Sequence, residues 1–91
     1  MIFEWHGSKA RANLRKHGVS FEEAATVFED RLAVTYPDPD HSEQEDRLLT
    51  IGESTRGRLL IVSHTERGGV LRIISARRLI RHERVLYEEN R

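Results

Sequence analysis

A chain of 91 residues with 37% hydrophobic side chains is expected to fold as one domain, 1–91, around a thin core that a partner helps to cover. It has no cysteine, which excludes a disulfide framework and thiolate chemistry, and no apolar run of membrane-spanning or signal-peptide character, so a cytoplasmic protein is expected. Net charge is zero, but nine acids stand against Arg31 between positions 20 and 46, and seven arginines against Glu66 between 54 and 82. The neutrality is a cancellation between an acidic half and a basic half, so phosphate ligands are not excluded.

Ile2-Phe3-Glu4-Trp5 is a β-prone start. Ser8 is placed to cap a helix over Lys9–His17, with Ala10, Leu14 and His17 along one side. Gly18 ends that helix, and Val19 supplies the hydrophobic contact that goes with a glycine stop. Ser20 followed by Glu23 is a capping box, and Phe21, Ala24, Ala25 and Phe28 then recur at helical spacing. The absence of a linker predicts an antiparallel pair of helices on one sheet face. Leu32–Tyr36 reads as a strand stopped by Pro37, and 38–45 as an acidic loop in which Pro39 blocks pairing.

Leu48–Gly52 and Leu59–His64 are two further strands joined by a short polar linker. The unbroken Leu59-Leu60-Ile61-Val62 run predicts a central strand covered on both faces. Gly68-Gly69 suits a hairpin turn, and Val70–Ala76 is a β-branched last strand. The period then becomes helical: Leu79, Ile80, Leu86 and Tyr87 share one face, and Arg77, Arg81 and Arg84 recur at i, i+4 and i+7. The fold class is α+β: an antiparallel β-sheet with two N-terminal helices and a C-terminal helix, in the order β-α-α-β-β-β-α, a meander with its helices on one face.

The histidines at 6, 17, 41, 64 and 82 show no metal-ligand spacing, and neither a metal nor another cofactor is expected. Asp38-Pro39-Asp40-His41 is the one short acidic stretch that suits a cation. Gly68-Gly69 belongs to a turn rather than a phosphate loop, and Ser75 lacks the setting of a nucleophile elbow. What remains is arginine on an antiparallel sheet, with a few His, Lys, Glu and Tyr side chains. That combination suits cleavage of RNA without metal: the 2′-OH attacks phosphorus, a base and an acid move protons, and cations hold the developing charge.

Arg47, Arg67 and Arg77, placed at a common sheet end, are the candidates to hold phosphate, with Glu45 or His17 for proton transfer. Lys9, Lys16, Arg58, Arg72 and Tyr87 are candidate RNA contacts. Each has a structural alternative: Arg77 paired with Glu83, Arg72 lying along the sheet, Tyr87 in the core.

A family resemblance covers nearly the whole chain. It is carried by Phe3-Glu4-Trp5, Lys9-Ala10, Asn13, the run Lys16-His17-Gly18-Val19-Ser20-Phe21-Glu22-Glu23-Ala24, and Val27-Phe28. Asp38, Asp40-His41, Glu45 with Arg47, and Gly52-Glu53-Ser54 with Gly57-Arg58 continue it. Arg72-Ile73-Ile74-Ser75-Ala76-Arg77, with Glu83 and Tyr87, completes it. In this order and spacing the chain resembles the BrnT toxins of bacterial type II toxin–antitoxin pairs.

The resemblance implies a RelE-like ribonuclease fold and RNA cleavage that inhibits translation. It also implies neutralisation by a BrnA-like antitoxin with a ribbon-helix-helix part, and operator DNA binding only through that complex. A toxin homodimer within a heterotetramer is compatible with it. His6 and Leu79 depart from the family pattern, an acidic and a small residue being usual there. Two other classes compete: a non-catalytic domain that binds an antitoxin and aids repression, and a plain nucleic-acid-binding module.

Overall fold

The computed structural model describes residues 1–40 and 46–89. Five strands make one sheet: β1 (Ile2–Glu4), β2 (Val34–Pro37), β3 (Leu48–Glu53), β4 (Leu59–Arg67) and β5 (Val70–Arg78). Helices α1 (Gly7–His17) and α2 (Phe21–Thr26) lie between β1 and β2 in the chain, and α3 (Arg81–Glu89) follows β5. The element order is therefore β-α-α-β-β-β-β-α, one strand more than the expected string. In space the strands run β1-β5-β4-β3-β2.

β2 to β5 form the expected antiparallel meander. The correction is β1, which pairs with β5 in parallel, Phe3 opposite Leu71. A parallel neighbour requires a crossover through other elements, and here α1, α2 and the rest of the meander supply it. β4 is the middle strand, with Leu60 to His64 all buried, as its unbroken apolar run predicts.

Alternation along β4 separates two cores. On one face Leu60 and Val62 join Leu71, Ile73 and Ala76, and α1 and α2 cover them with Val19, Phe21 and Ala24. On the other, Ile61 and Ile51 pack with Leu79 and Tyr87, so α3 sits opposite the first two helices. Helices on a single face were expected. The thin apolar content instead is divided, and each sheet face takes a helical cover of its own.

Local signals held for α2 and failed in part for α1. Ser20 Oγ accepts from the Glu23 amide at 3.0 Å, and Gly18 takes the left-handed conformation at φ 69°, its N–H bonded to Leu14 O. α1, however, begins at Gly7 after His6, and Ser8 spends its hydroxyl on His6 Nδ1 rather than capping. Leu14 is exposed, and the buried residue of α1 is Asn13. Asn13 donates to Val19 O (2.9 Å) and Ala76 O (2.8 Å) and accepts from the Ala76 amide (3.1 Å). That one amide fastens the end of α1 to the end of β5.

Candidate active site

The tie through Asn13 has a positional consequence. Three and four residues later in α1 come Lys16 and His17, and one residue after Ala76 comes Arg77. All three line a cleft of about 690 Å³, closed on its other sides by Tyr36, Asp38, Ser63 and Ser75 and by His82 and Glu83 of α3. The last turn of α1 carries Arg15, Lys16 and His17, the charges that a helix C-terminus attracts. The cleft thus has the basic side chains Lys16 and Arg77 and the imidazoles of His17 and His82 along its wall, and Asp38 and Asp40 at its rim.

Arg77 is held firmly. It sits in β5 opposite Ile61, and its NH1 and NH2 donate to the Glu83 carboxylate at 2.9 and 2.8 Å. NH1 also donates to Arg78 O. Glu83 accepts in addition from the Ile80 amide at 2.9 Å, capping α3 with the side chain that grips Arg77. Burial pushes the Glu83 carboxyl up, but the Arg77 guanidinium and the Ile80 N–H outweigh it and hold the group below the usual carboxylate range. The Glu83 hydrogen bond in turn raises Arg77. A guanidinium has five donors, so Arg77 keeps the Nε proton and one NH2 proton for a ligand. Beside it, burial and the Glu83 charge raise the Tyr36 phenol, which remains a neutral hydroxyl.

Ser63 Oγ, buried and lining the cleft, has no hydrogen-bond partner among the described residues.

The expected site residues divide. His17, Lys16 and Arg77 converge. Arg67 does not: it pairs with Val70 at the far end of the hairpin, six residues along β4 from the level of Arg77, roughly 20 Å at strand rise. Arg47 precedes β3, four residues from Ile51, which lies at the level of Arg77, so it is roughly 13 Å away along the strand. Three arginines at one sheet end were expected; the structure places Arg77 alone there. Glu45 lies outside the described residues.

Among the expected RNA contacts, Arg58 is committed elsewhere. Its guanidinium grips the Glu23 carboxylate and donates to Gly18 O, and Ser54 donates to the same carboxylate. Glu23 is therefore held low, chiefly by Arg58 against the cost of burial. The glutamate of the capping box does not reach back to its own cap; it locks α2 to the β3–β4 turn. Tyr87 is a core residue, donating to Asp30 Oδ2 at 2.7 Å. Arg72 lies 3.8 Å from Glu4 across two exposed side chains, and Lys9 is exposed on α1. The Arg77, Arg81, Arg84 series does not share a helix face, because Arg77 belongs to β5.

Sequence reasoning missed His82. Its signal is positional: His82 precedes Glu83 and lies one turn before Leu86, and all three line the cleft. His64 is fully buried instead, its Nε2 2.7 Å from Thr50 Oγ1 and its ring edge-on to Phe28. Desolvation lowers it to about 4, so it stays neutral and apart from the cleft.

The chain is thus a layered α+β domain in which a lysine, two histidines and a clamped arginine line one open cleft. Comparison with known proteins gives the particular family. The family model described as "Ribonuclease toxin, BrnT, of type II toxin-antitoxin system" matches residues 5–83, and the chain belongs to that family. The fold is similar to that of the Brucella abortus ribonuclease toxin BrnT, solved by crystallography, with a TM-score of 0.69 and 25% identity. The similarity covers 89% of this chain and 100% of that one. No curated protein matches. Among the described residues no helix is long and apolar enough to cross a membrane.

Proposed function

We propose that this chain is the endoribonuclease toxin of a toxin–antitoxin pair, and that it cleaves RNA in the cleft between α1, β5 and α3 without a metal. The observation that carries the reading is the convergence there of Lys16, His17, Arg77 and His82. Histidine is the side chain suited to give and take protons near neutral pH, and two of them permit a base and an acid in one site.

In the proposed reaction His17 takes the proton from the ribose 2′-OH as that oxygen bonds to the adjacent phosphorus. The P–O5′ bond breaks, and His82 gives its proton to the departing 5′ oxygen. One product ends in a 2′,3′-cyclic phosphate and the other in a 5′-OH. Arg77 and Lys16 hold the charge that gathers on the non-bridging oxygens. Glu83 fixes the plane of the guanidinium in advance, so little reorganisation is left for the reaction itself.

Cleavage of RNA that is being translated is the proposed route to growth inhibition. A BrnA-like ribbon-helix-helix antitoxin, covering the basic surface around the β5–α3 junction, is the proposed partner. A non-catalytic, antitoxin-binding role is favoured by one observation, the commitment of most of the Arg77 fork to protein acceptors.

End-labelled RNA incubated with the purified protein in EDTA decides between them. Cleavage leaving a cyclic phosphate, lost in His17→Ala and His82→Ala proteins that melt normally, is the expected result. Intact RNA with the wild-type protein, in the presence or absence of ribosomes, refutes the nuclease reading.

A further inference from the structure

α3 has a second cleft on its other flank. His82, Glu83 and Leu86 face the candidate active site, whereas Arg84 and Tyr87 face a cavity of about 470 Å³ at the β3–β4 turn. Arg78, Arg58, Glu53 and Leu79 complete its walls. The charges differ in their commitments. Arg58 is neutralised by Glu23, and Glu53 contributes one negative charge at the rim. Arg78 and Arg84 make no side-chain hydrogen bond or ion pair with any described residue, so the cavity holds two uncommitted guanidinium groups.

The second cleft lies across the β5–α3 junction from the first. Arg77 and Arg78 are consecutive in β5, and the chain between them and α3 is only Leu79-Ile80. Over that junction lie exposed Ile80 and Arg81. A strand leaving the first cleft past His82 can cross this ridge and enter the second. An α-helix with its side chains is about 10–12 Å across. At roughly 3.4 Å per stacked nucleotide, three or four nucleotides span it.

We propose that the cavity between Arg78 and Arg84 is a second phosphate-binding subsite, which holds the RNA strand a few nucleotides from the bond cleaved beside Arg77. The inference rests on the RNA-cleaving reading of the first cleft. Single-stranded RNA is the ligand favoured over an acidic peptide because the two cavities lie on either side of a short, exposed junction that carries Arg81. Two separate guanidinium groups suit a repeating phosphate backbone.

The test is binding of uncleavable 2′-O-methyl RNA, as a dinucleotide and as a strand of roughly ten nucleotides, to wild-type protein and to the Arg78→Ala/Arg84→Ala variant across a salt series. Each phosphate contact on a single strand contributes about 0.7 to the slope of log K against log salt, so the double variant should flatten the slope for the longer strand by about 1.4. Its affinity deficit should accordingly shrink about sevenfold between roughly 50 and 200 mM salt. Dinucleotide binding should not change, and Arg78→Lys/Arg84→Lys should restore most of the slope.

An unchanged slope for the longer strand overturns the subsite while leaving the first cleft intact. So does an equal loss on both ligands, or a variant that binds RNA normally but no longer binds an acidic antitoxin. A wild-type protein that binds neither RNA overturns the reading of the first cleft and the subsite with it.

Discussion

Arg77→Ala separates the two things that this arginine does. In the folded chain it is the partner of Glu83, whose side chain is 9% exposed, whereas the Arg77 side chain is 40% exposed. Removing one member of a fully buried pair costs about 3–5 kcal/mol, and an exposed pair is worth about 0–1. This pair is buried on the carboxylate side only, and Glu83 keeps the Ile80 amide, so about 2 kcal/mol is the expected loss of stability. For a domain of this size that lowers Tm by about 8–16 °C.

Transition-state stabilisation is a separate quantity. Loss of one preorganised donor costs about 2.7–4 kcal/mol of barrier, two to three decades in rate. Cleavage should therefore be assayed well below the variant's own melting point. Arg77→Lys should recover charge without the fork, and thus only part of either loss. Glu83→Gln should lower stability as Arg77→Ala does, yet retain far more activity, since the guanidinium remains in the cleft. A wild-type cleavage rate for folded Arg77→Ala would remove Arg77 from the chemistry, and an unchanged Tm would refute the structural account of the pair.

Asn13→Ala should cost about 3 kcal/mol, because three buried backbone groups lose their partner at once. Asn13→Asp should do no better, since it can still accept from Ala76 but opposes two carbonyls; denaturant unfolding reads both. His64 has its folded pKa depressed from 6.5 to about 4. Its contribution, of order 3 kcal/mol, is complete above about pH 6.5 and is lost as pH falls towards 4. His64→Leu should flatten that part of the stability–pH curve, and an unaltered curve would show that His64 is not its source. Tyr87→Phe removes the hydrogen bond to the Asp30 carboxylate that ties α3 to the segment after α2. It should cost about 1.5–3 kcal/mol by thermal melting, with the protein still folded.

What was legible in the chain was mostly local. Ser20 with Glu23, Gly18, and the Gly68-Gly69 turn, both glycines at positive φ, act within a few residues, and their neighbours reveal them. The apolar run of β4 announced a central strand because burial on both faces leaves no room for alternation. What escaped depends on pairing between distant positions. Nothing near Ile2 distinguishes a parallel partner from an antiparallel one. Arg58 reads as a free cation until Glu23, thirty-five residues away, is found beside it. Asn13 gives no local sign of burial, because a polar residue on an amphipathic helix is ordinarily the outer one, yet it is buried and Leu14 is exposed. The same applies to the site: Lys16, His17 and Arg77 were visible as residue types, but only the α1–β5 tie made them neighbours.

The charge balance acquires a physical meaning from these pairings. Of the seven arginines between positions 54 and 82, Arg58 is bound to Glu23 with Arg56 3.6 Å from it, Arg77 is bound to Glu83, and Arg72 lies loosely by Glu4. Arg67, Arg78 and Arg81 have no such partner among the described residues, and Arg84 in α3 joins them. Arg67 is remote, at the hairpin tip. Of the other three, Arg78 and Arg84 line the second cleft and Arg81 stands at the β5–α3 junction beside it. Glu23 from the acidic half, and Glu83 from α3, thus neutralise the arginines that fasten the fold, and uncommitted cations collect where a phosphate backbone is proposed to pass. Field strength at a surface follows the local arrangement of charge rather than the sum over the molecule. A chain of zero net charge is on this account fully compatible with RNA as its ligand.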